Sequence, residues 1–259
     1  MNPICFQIGP ITIYWFSIMA MLGFLFANIH WSVLARKEGY STEFGSSLAL
    51  WMILSGIVGA RIAFVIANAD LYREAPLTIF RIDQGGIIFY GGLIGASLAV
   101  ILLATFKKEP IWAVGDLAIS ALPLGHALGR IGCLMNGCCY GLPTEHAWGV
   151  HLHGAIRLPT QLYETFFNLV LYGFLCWMVP RRSKNGSIVV IYLLIYPPAR
   201  FVIEFFRGDD RQQWLGLHTA QHMSLILFCV GLVLWFALPN RLRRPEKGLG
   251  PNPSNHASA

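Results

Sequence analysis

The chain has 259 residues, of which 55% are hydrophobic and 12% charged; an ordinary soluble domain carries about 25% charged residues. With a mean hydropathy of +0.55, this composition excludes a soluble globular or disordered protein and leaves an integral membrane protein. The formal net charge of +6 has no basic, aromatic-interleaved soluble face to act through, so nucleic acid is excluded and membrane lipid is the expected partner.

From the N-terminus, "MNPICFQIGP" lacks a basic n-region, and the apolar run after it is too long for a signal-peptide core. The first span is therefore expected to stay in the protein. A bilayer core needs about 20 apolar residues per helix, and seven spans are predicted, at 11–35, 44–67, 86–106, 111–129, 161–180, 187–206 and 220–239. The expected fold class is an all-α integral membrane protein with a single transmembrane domain over 1–240. Residues 241–259, basic and then rich in Pro, Gly and Ser, read as a disordered tail. Basic residues concentrate at Arg36 and Lys37, Lys107 and Lys108, Arg181, Arg182 and Lys184, and Arg241, Arg243, Arg244 and Lys247. The intervening loops hold fewer, so the N-terminus is expected outside and the C-terminus in the cytoplasm.

Ionisable and polar groups inside a membrane are costly and mark function. In chain order, Tyr14 and Trp15 open the first span, Arg61 falls late in the second and Tyr90 early in the third. Arg130 ends the fourth, while Gln161, Tyr163 and Glu164 open the fifth. Arg200, Glu204 and Arg207 end the sixth, and Thr219, Gln221 and His222 open the seventh. With the orientation above, all of these converge on the outer half of the membrane, and the inner half is expected to be almost wholly apolar. In "YPPARFVIEFFRGDD", Tyr196, Arg200, Glu204 and Arg207 fall at i, i+4, i+8 and i+11, on one helical face. Pro197 and Pro198 interrupt the backbone ladder just before them, which a membrane helix tolerates beside a cavity or inside protein. Arg61, Arg130, Arg200 and Arg207 outnumber the carboxylates Asp116, Glu164 and Glu204. An unpaired buried cation is hard to keep, so the excess points to an absent anion; an ion chain that merely pins helices is the alternative.

Gly56, Gly59 and Gly95 read as helix-packing positions. In "GHALGRIGCLMNGCCYG" the fourth span is expected to end near residue 129, so bare amides beside Arg130 would form an anion cradle. Cys176 and Cys229 read as small core residues. The C-x4-C-C pattern of Cys133, Cys138 and Cys139, with His146, His151 and His153 nearby, matches no standard zinc or iron–sulfur spacing. No metal or cofactor is expected; a disulfide from Cys133 to Cys138 or Cys139, or packing of a tight turn, stays open.

The motifs "GRIGCLMNGCCYG", "YGGLIGA", "LPTQLYE", "YPPARFVIEFFRGDD" and "TAQHMS", in this order and spacing, resemble the bacterial prolipoprotein diacylglyceryl transferase family over nearly the whole length. The resemblance implies transfer of diacylglyceryl from phosphatidylglycerol to the lipobox cysteine thiol of a preprolipoprotein. It also implies a site on the periplasmic side of the bacterial inner membrane, and no cofactor. It implies Arg130 on the phosphate, Arg200 at the headgroup or leaving group, Tyr196 one turn before it, and Asn136 and Gly141 in the headgroup loop. Gly91, Gly92, Arg61, Glu204 and Arg207 complete the expected substrate contacts. Tyr90 stands where a histidine is usual before "GGLIG", Tyr14 and Phe16 where histidine and tyrosine are common, and Cys133 and Cys138 where asparagine and glutamate are common. Since an unperturbed tyrosine has a pKa near 10 and is a poor base at neutral pH, His126, one turn before Arg130, is a second candidate base. A divergent member without catalysis or with another acceptor, or a small-solute transporter built on broken helices, are the competing readings. Against the transporter stand the absence of an internal repeat and the charges gathered in one leaflet.

Overall fold

The computed structural model describes residues 3–9, 11–73, 75–81, 86–211 and 213–238; the expected tail at 241–259 lies outside them. Seven helices dominate: α1 (Trp15–Lys37), α2 (Thr42–Ala67), α3 (Phe89–Phe106), α4 (Ile111–Met135), α5 (Thr160–Met178), α6 (Ser187–Glu204) and α7 (Thr219–Ala237). All seven are long and apolar enough to cross a membrane, the fifth counting a following 3₁₀ turn to Arg181. Three small antiparallel hairpins join or precede them: β1 (Ile4–Ile8) with β2 (Ile11–Tyr14), β3 (Val150–Leu152) with β4 (Ala155–Arg157), and β5 (Gln213–Trp214) with β6 (Leu217–His218). In the last two, both turn residues are left-handed, at His153–Gly154 and Leu215–Gly216, the twist a two-residue hairpin loop requires.

Two boundaries differ from expectation. α1 starts at Trp15 rather than 11, because residues 11–14 pair with β1. α4 runs on to Met135 rather than stopping near 129, so Arg130, Gly132 and Cys133 are helical.

The chain packs as two units, one of residues 1–31 with 116–259 and one of residues 32–115. In the smaller unit α2 and α3 approach so closely that added Cβ atoms at Gly59, Gly91 and Gly95 would strike backbone or side-chain atoms of the facing helix; at Gly91 the obstacles are the Gly59 carbonyl and Ala63 Cβ. A Cβ at Gly92 would come 3.2 Å from the Gly56 carbonyl. Small residues thus let the two backbones touch. Gly91 and Gly92, expected at the substrate, are used in this helix contact, and Gly91 is buried there. Arg61 belongs to the same unit. Its Nε donates to the Ile79 carbonyl (2.8 Å), its Nη1 to Gly86 (3.0 Å), and its Nη2 to Thr78 (3.0 Å) and Arg81 (3.2 Å). The guanidinium therefore organises the segment leading into α3. Tyr90 sits half-buried in the first turn of α3, edge-on to Phe89.

In the larger unit the usual burial order is inverted, as a lipid solvent demands. Phe166, Val233 and Phe236 face outward, while Glu164, Glu204, Gln161, Asn168 and Gln221 are almost fully enclosed. Polar groups occupy both ends of these helices, which corrects the expectation of an apolar inner half. At one end, near the start of α4, the fully buried Asp116 accepts from the amides of Gly186 (2.8 Å), Ile188 (2.9 Å) and Val189 (3.1 Å), and pairs with Arg182 Nε at 3.2 Å. A carboxylate from α4 thus satisfies the orphan amides and positive dipole end of α6. Asp116 is 14 residues from Arg130 along α4, roughly 21 Å by helical rise, and takes no part in balancing the arginine excess. Near the same end, His30 bridges Tyr172 Oη (2.9 Å) and Ser120 Oγ (3.3 Å), tying α1 to α5 and α4.

Removing the Asp116 carboxylate strands Arg182 and three amides. Asp116→Ala should cost about 3–5 kcal/mol, read as a lower thermal midpoint of the detergent-solubilised protein; an unchanged midpoint would show that the α6 cap is dispensable.

Candidate functional site

At the opposite end of the larger unit, α4, α5 and α6 bring their polar residues together around one carboxylate. Glu164, in the second turn of α5, is 2% exposed. Its Oε1 faces Arg130 Nη2 at 3.1 Å and His126 Nε2 at 3.3 Å from α4. From α6 it faces Tyr196 Oη at 3.2 Å and Arg200 Nε at 3.5 Å. The i, i+4 spacing of His126 with Arg130, and of Tyr196 with Arg200, puts each pair on the face turned to α5. The stacking of Tyr192 on Tyr196 (5.2 Å, 8°) backs the α6 side.

The α6 side continues into a charged chain. Arg200 Nη1 lies against Glu204 Oε2 as an ion pair without hydrogen-bond alignment. Glu204 Oε1 accepts from Arg211 Nη1 at 3.0 Å. Asp209 accepts from Arg207 through both oxygens (2.9 and 2.8 Å) and from Arg211 Nε at 3.0 Å. Burial alone would raise the Asp209 carboxyl, but the two guanidiniums hold it below the usual carboxylate range. Arg130, Arg200, Arg207 and Arg211 thus meet Glu164, Glu204 and Asp209, which leaves one positive charge among the described residues of this network. The sequence-based excess stands, but its membership changes: Arg61 and Asp116 leave the balance, and Arg211 and Asp209 enter it.

His126 Nε2 has one position for a proton on this side. It either accepts from Arg130 Nε at 3.2 Å or donates to Glu164. The two contacts are exclusive at any instant. A proton taken up by this imidazole faces a carboxylate at once.

The turn after α4 is not the cradle of bare amides that its glycines suggest. A helix C-terminus presents carbonyls, and four of the six amides at 136–141 are already bonded: Asn136 to the Gly132 carbonyl, Gly137 to Leu134, Cys138 to Cys133 and Gly141 to Leu158. The Gly137 and Cys138 bonds form a Schellman motif, with Gly137 as the left-handed residue at φ 72°. Asn136 is exposed beyond it. Gly141 lies where three segments cross: it bridges Arg207 in antiparallel fashion, and an added Cβ would stand 2.9 Å from the Phe206 carbonyl. Gly141 therefore positions Arg207. Gln161 Nε2 and Thr160 Oγ1, from the first turn of α5, hold the carbonyls of Cys138 (2.7 Å) and Cys139 (2.9 Å). All six cysteines are free thiols, so the disulfide left open above is not formed.

Of the residues singled out in the sequence, Arg130, His126, Tyr196, Arg200, Glu204 and Arg207 share this site, and Asn136 and Gly141 border it in the same unit. Arg61, Tyr90, Gly91 and Gly92 belong to the smaller unit. The residue missed is Glu164, present in the sequence only as one of several polar positions. Its signal was available: it is the single acidic residue of α5.

Glu164→Ala leaves guanidiniums from two helices facing each other in a low-dielectric interior. It should cost about 3–5 kcal/mol, with part of the loss in thermal midpoint restored by millimolar inorganic phosphate; a variant as stable as the parent would remove Glu164 from its central place.

A family model described as prolipoprotein diacylglyceryl transferase matches residues 3–237. The chain is 33% identical over 246 residues to a protein of Pseudoalteromonas translucida, covering 90% of this chain and 92% of that one. It is 35% identical over 233 residues to one of Pasteurella multocida (86% and 85% covered) and 31% identical over 247 residues to one of Clostridium tetani (91% and 97%). Each of these relatives is named phosphatidylglycerol–prolipoprotein diacylglyceryl transferase.

Proposed function

The chain belongs to the prolipoprotein diacylglyceryl transferase family, and we propose that the network around Glu164 is where the phosphate of its lipid substrate is held. The protein is a multi-pass membrane transferase that moves the diacylglyceryl group of phosphatidylglycerol to prolipoprotein. The acceptor is the lipobox cysteine thiol of the signal peptide. Its thiolate attacks the sp³ glycerol carbon next to the phosphoester oxygen; a carbon–sulfur bond forms, the carbon–oxygen bond breaks, and glycerol phosphate leaves with the electron pair. The site faces the periplasmic side of the bacterial inner membrane, in keeping with the distribution of basic residues.

The observation that carries this reading is the sharing of one carboxylate by two arginines. Arg130 and Arg200 reach Glu164 Oε1 at 3.1 and 3.5 Å, so a single carboxylate oxygen answers two five-donor guanidiniums. Both retain donor capacity. Arg61, by contrast, has donated from each of its three nitrogens to backbone carbonyls, so its role is to organise its own unit. A phosphate among Arg130, Arg200 and Arg211 would meet preorganised guanidiniums whose attraction grows as the leaving group gains charge. Arg207, bound bidentately to Asp209, supports this array. Asn136, exposed just after α4, would hydrogen-bond the headgroup glycerol, as the family resemblance implies. His126 is the candidate base: its Nε2 takes the thiol proton, and Glu164 stabilises the resulting imidazolium. Tyr196 holds Glu164 in place. Tyr90 remains an alternative base from the smaller unit.

The test is transfer of radiolabelled diacylglyceryl to a lipobox peptide in membranes, together with rescue of a transferase-depleted bacterium. Arg130→Ala and Arg200→Ala should each lower turnover by roughly 10²–10³-fold, whereas Arg61→Lys should act through stability. His126→Gln should lower the transfer rate by roughly 10²–10⁴-fold while Tyr90→Phe leaves it near that of the parent; the reverse pattern makes Tyr90 the base. Full activity in Arg130→Ala would refute the phosphate assignment.

A further inference from the structure

The three cysteines at the end of α4 have no part in the transfer reaction, since the acceptor peptide supplies its own thiol. Their linear spacing matches no familiar metal motif, yet the fold gathers them. The Schellman motif that ends α4 places its C3 residue, Cys133, against its C″ residue, Cys138. Cys139 then adopts a left-handed backbone, φ 64°, unusual for a side-chain-bearing residue. As a result the three Sγ atoms lie within 4.8 Å of one another. A three-coordinate ion with metal–sulfur bonds of about 2.3 Å holds its sulfurs about 4.0 Å apart, so closure needs side-chain adjustment rather than a new backbone.

The cluster is held from outside as well. The Cys138 and Cys139 carbonyls are fixed by Gln161 and Thr160, and Arg211 Nη2 stands 3.9 Å from Cys139 Sγ. A guanidinium beside three sulfurs offsets the negative charge that thiolate ligation accumulates. Cys133 is buried, while Cys138 and Cys139 are half-exposed and give an ion a way in. A disulfide would use two of the sulfurs and strand the third.

We propose that Cys133, Cys138 and Cys139 form a trithiolate site for a thiophilic d¹⁰ cation, zinc(II) or copper(I). This inference does not rest on the transferase reading, although Arg211 borders both sites. On binding, each thiol gives its proton to solvent as a metal–sulfur bond forms, with no change in oxidation state. Thiolate ligands favour these two ions over harder cations, and the arms of the test separate them.

The purified full chain, reduced and then freed of reductant without air, is titrated with zinc(II) or with copper(I) against a chromophoric chelator. One equivalent per chain is expected to bind. Cys133→Ser and Cys139→Ser should weaken binding by on the order of 100-fold, at least what loss of a supporting contact costs at a metal centre, and Cys229→Ser should leave it unchanged. Alkylation of the unaltered protein followed by peptide mass spectrometry gives a readout independent of whether the variants fold. The bound ion should protect Cys133, Cys138 and Cys139 from the labelling they undergo in the ion-free protein. Binding of only one of the two ions identifies the occupant. Equal labelling of the three thiols with and without both ions overturns the proposal, as does a reduced protein that binds neither ion more tightly than a variant with all three cysteines replaced by serine.

Discussion

One buried carboxylate holds this end of the molecule together. Glu164 sits on the helix between two others, each carrying an arginine toward it. In a low-dielectric interior, guanidiniums from separate helices repel unless they share an anion. A single acidic side chain on α5 turns that repulsion into an attachment of α4 and α6 to the same point. The donation from Tyr196 and the contact with His126 follow from the same placement.

Such a centre is held together without being neutralised. Among the described residues, the network has one guanidinium more than its carboxylates can match. A structural ion pair is complete in itself; this network leaves a positive charge over, which is what the proposed phosphate site rests on. The contrast with Arg61 makes the distinction concrete, because a guanidinium whose nitrogens all end on backbone carbonyls has little left to offer a ligand. The surrounding fold keeps the arginines in place by ordinary means. Gly141 allows three segments to cross, Asp209 clamps Arg207 from both oxygens, and Asp116 anchors the far end of α6 to α4.

The turn that ends the helix carrying Arg130 also gathers the cysteines. A Schellman motif is a backbone device for ending a helix, and its side-chain consequence is contact between residues five apart. Where those residues are small and apolar the contact is mere packing. Here both carry thiols, and a third follows in a left-handed conformation, so a way of ending a helix becomes a cluster of soft ligands.

By itself the sequence determined the membrane class, the seven helices and the family, because apolar length and motif order are local, linear properties. It also made the surplus of buried positive charge legible, since charge in an apolar run is conspicuous wherever it falls. It misjudged what depends on partners. Asp116 read as part of the arginine balance, though it caps a helix start at the opposite end. Gly91 and Gly92 read as ligand contacts, and the tertiary structure adds a close helix contact at both; the amides of Gly137 and Cys138 serve helix termination. The choice of Glu164 as the centre, and of Arg211 and Asp209 as its neighbours, belongs to the tertiary structure alone. Which carboxylate neutralises which arginine is decided by ångström distances between helices, and residue spacing along the chain carries no record of them.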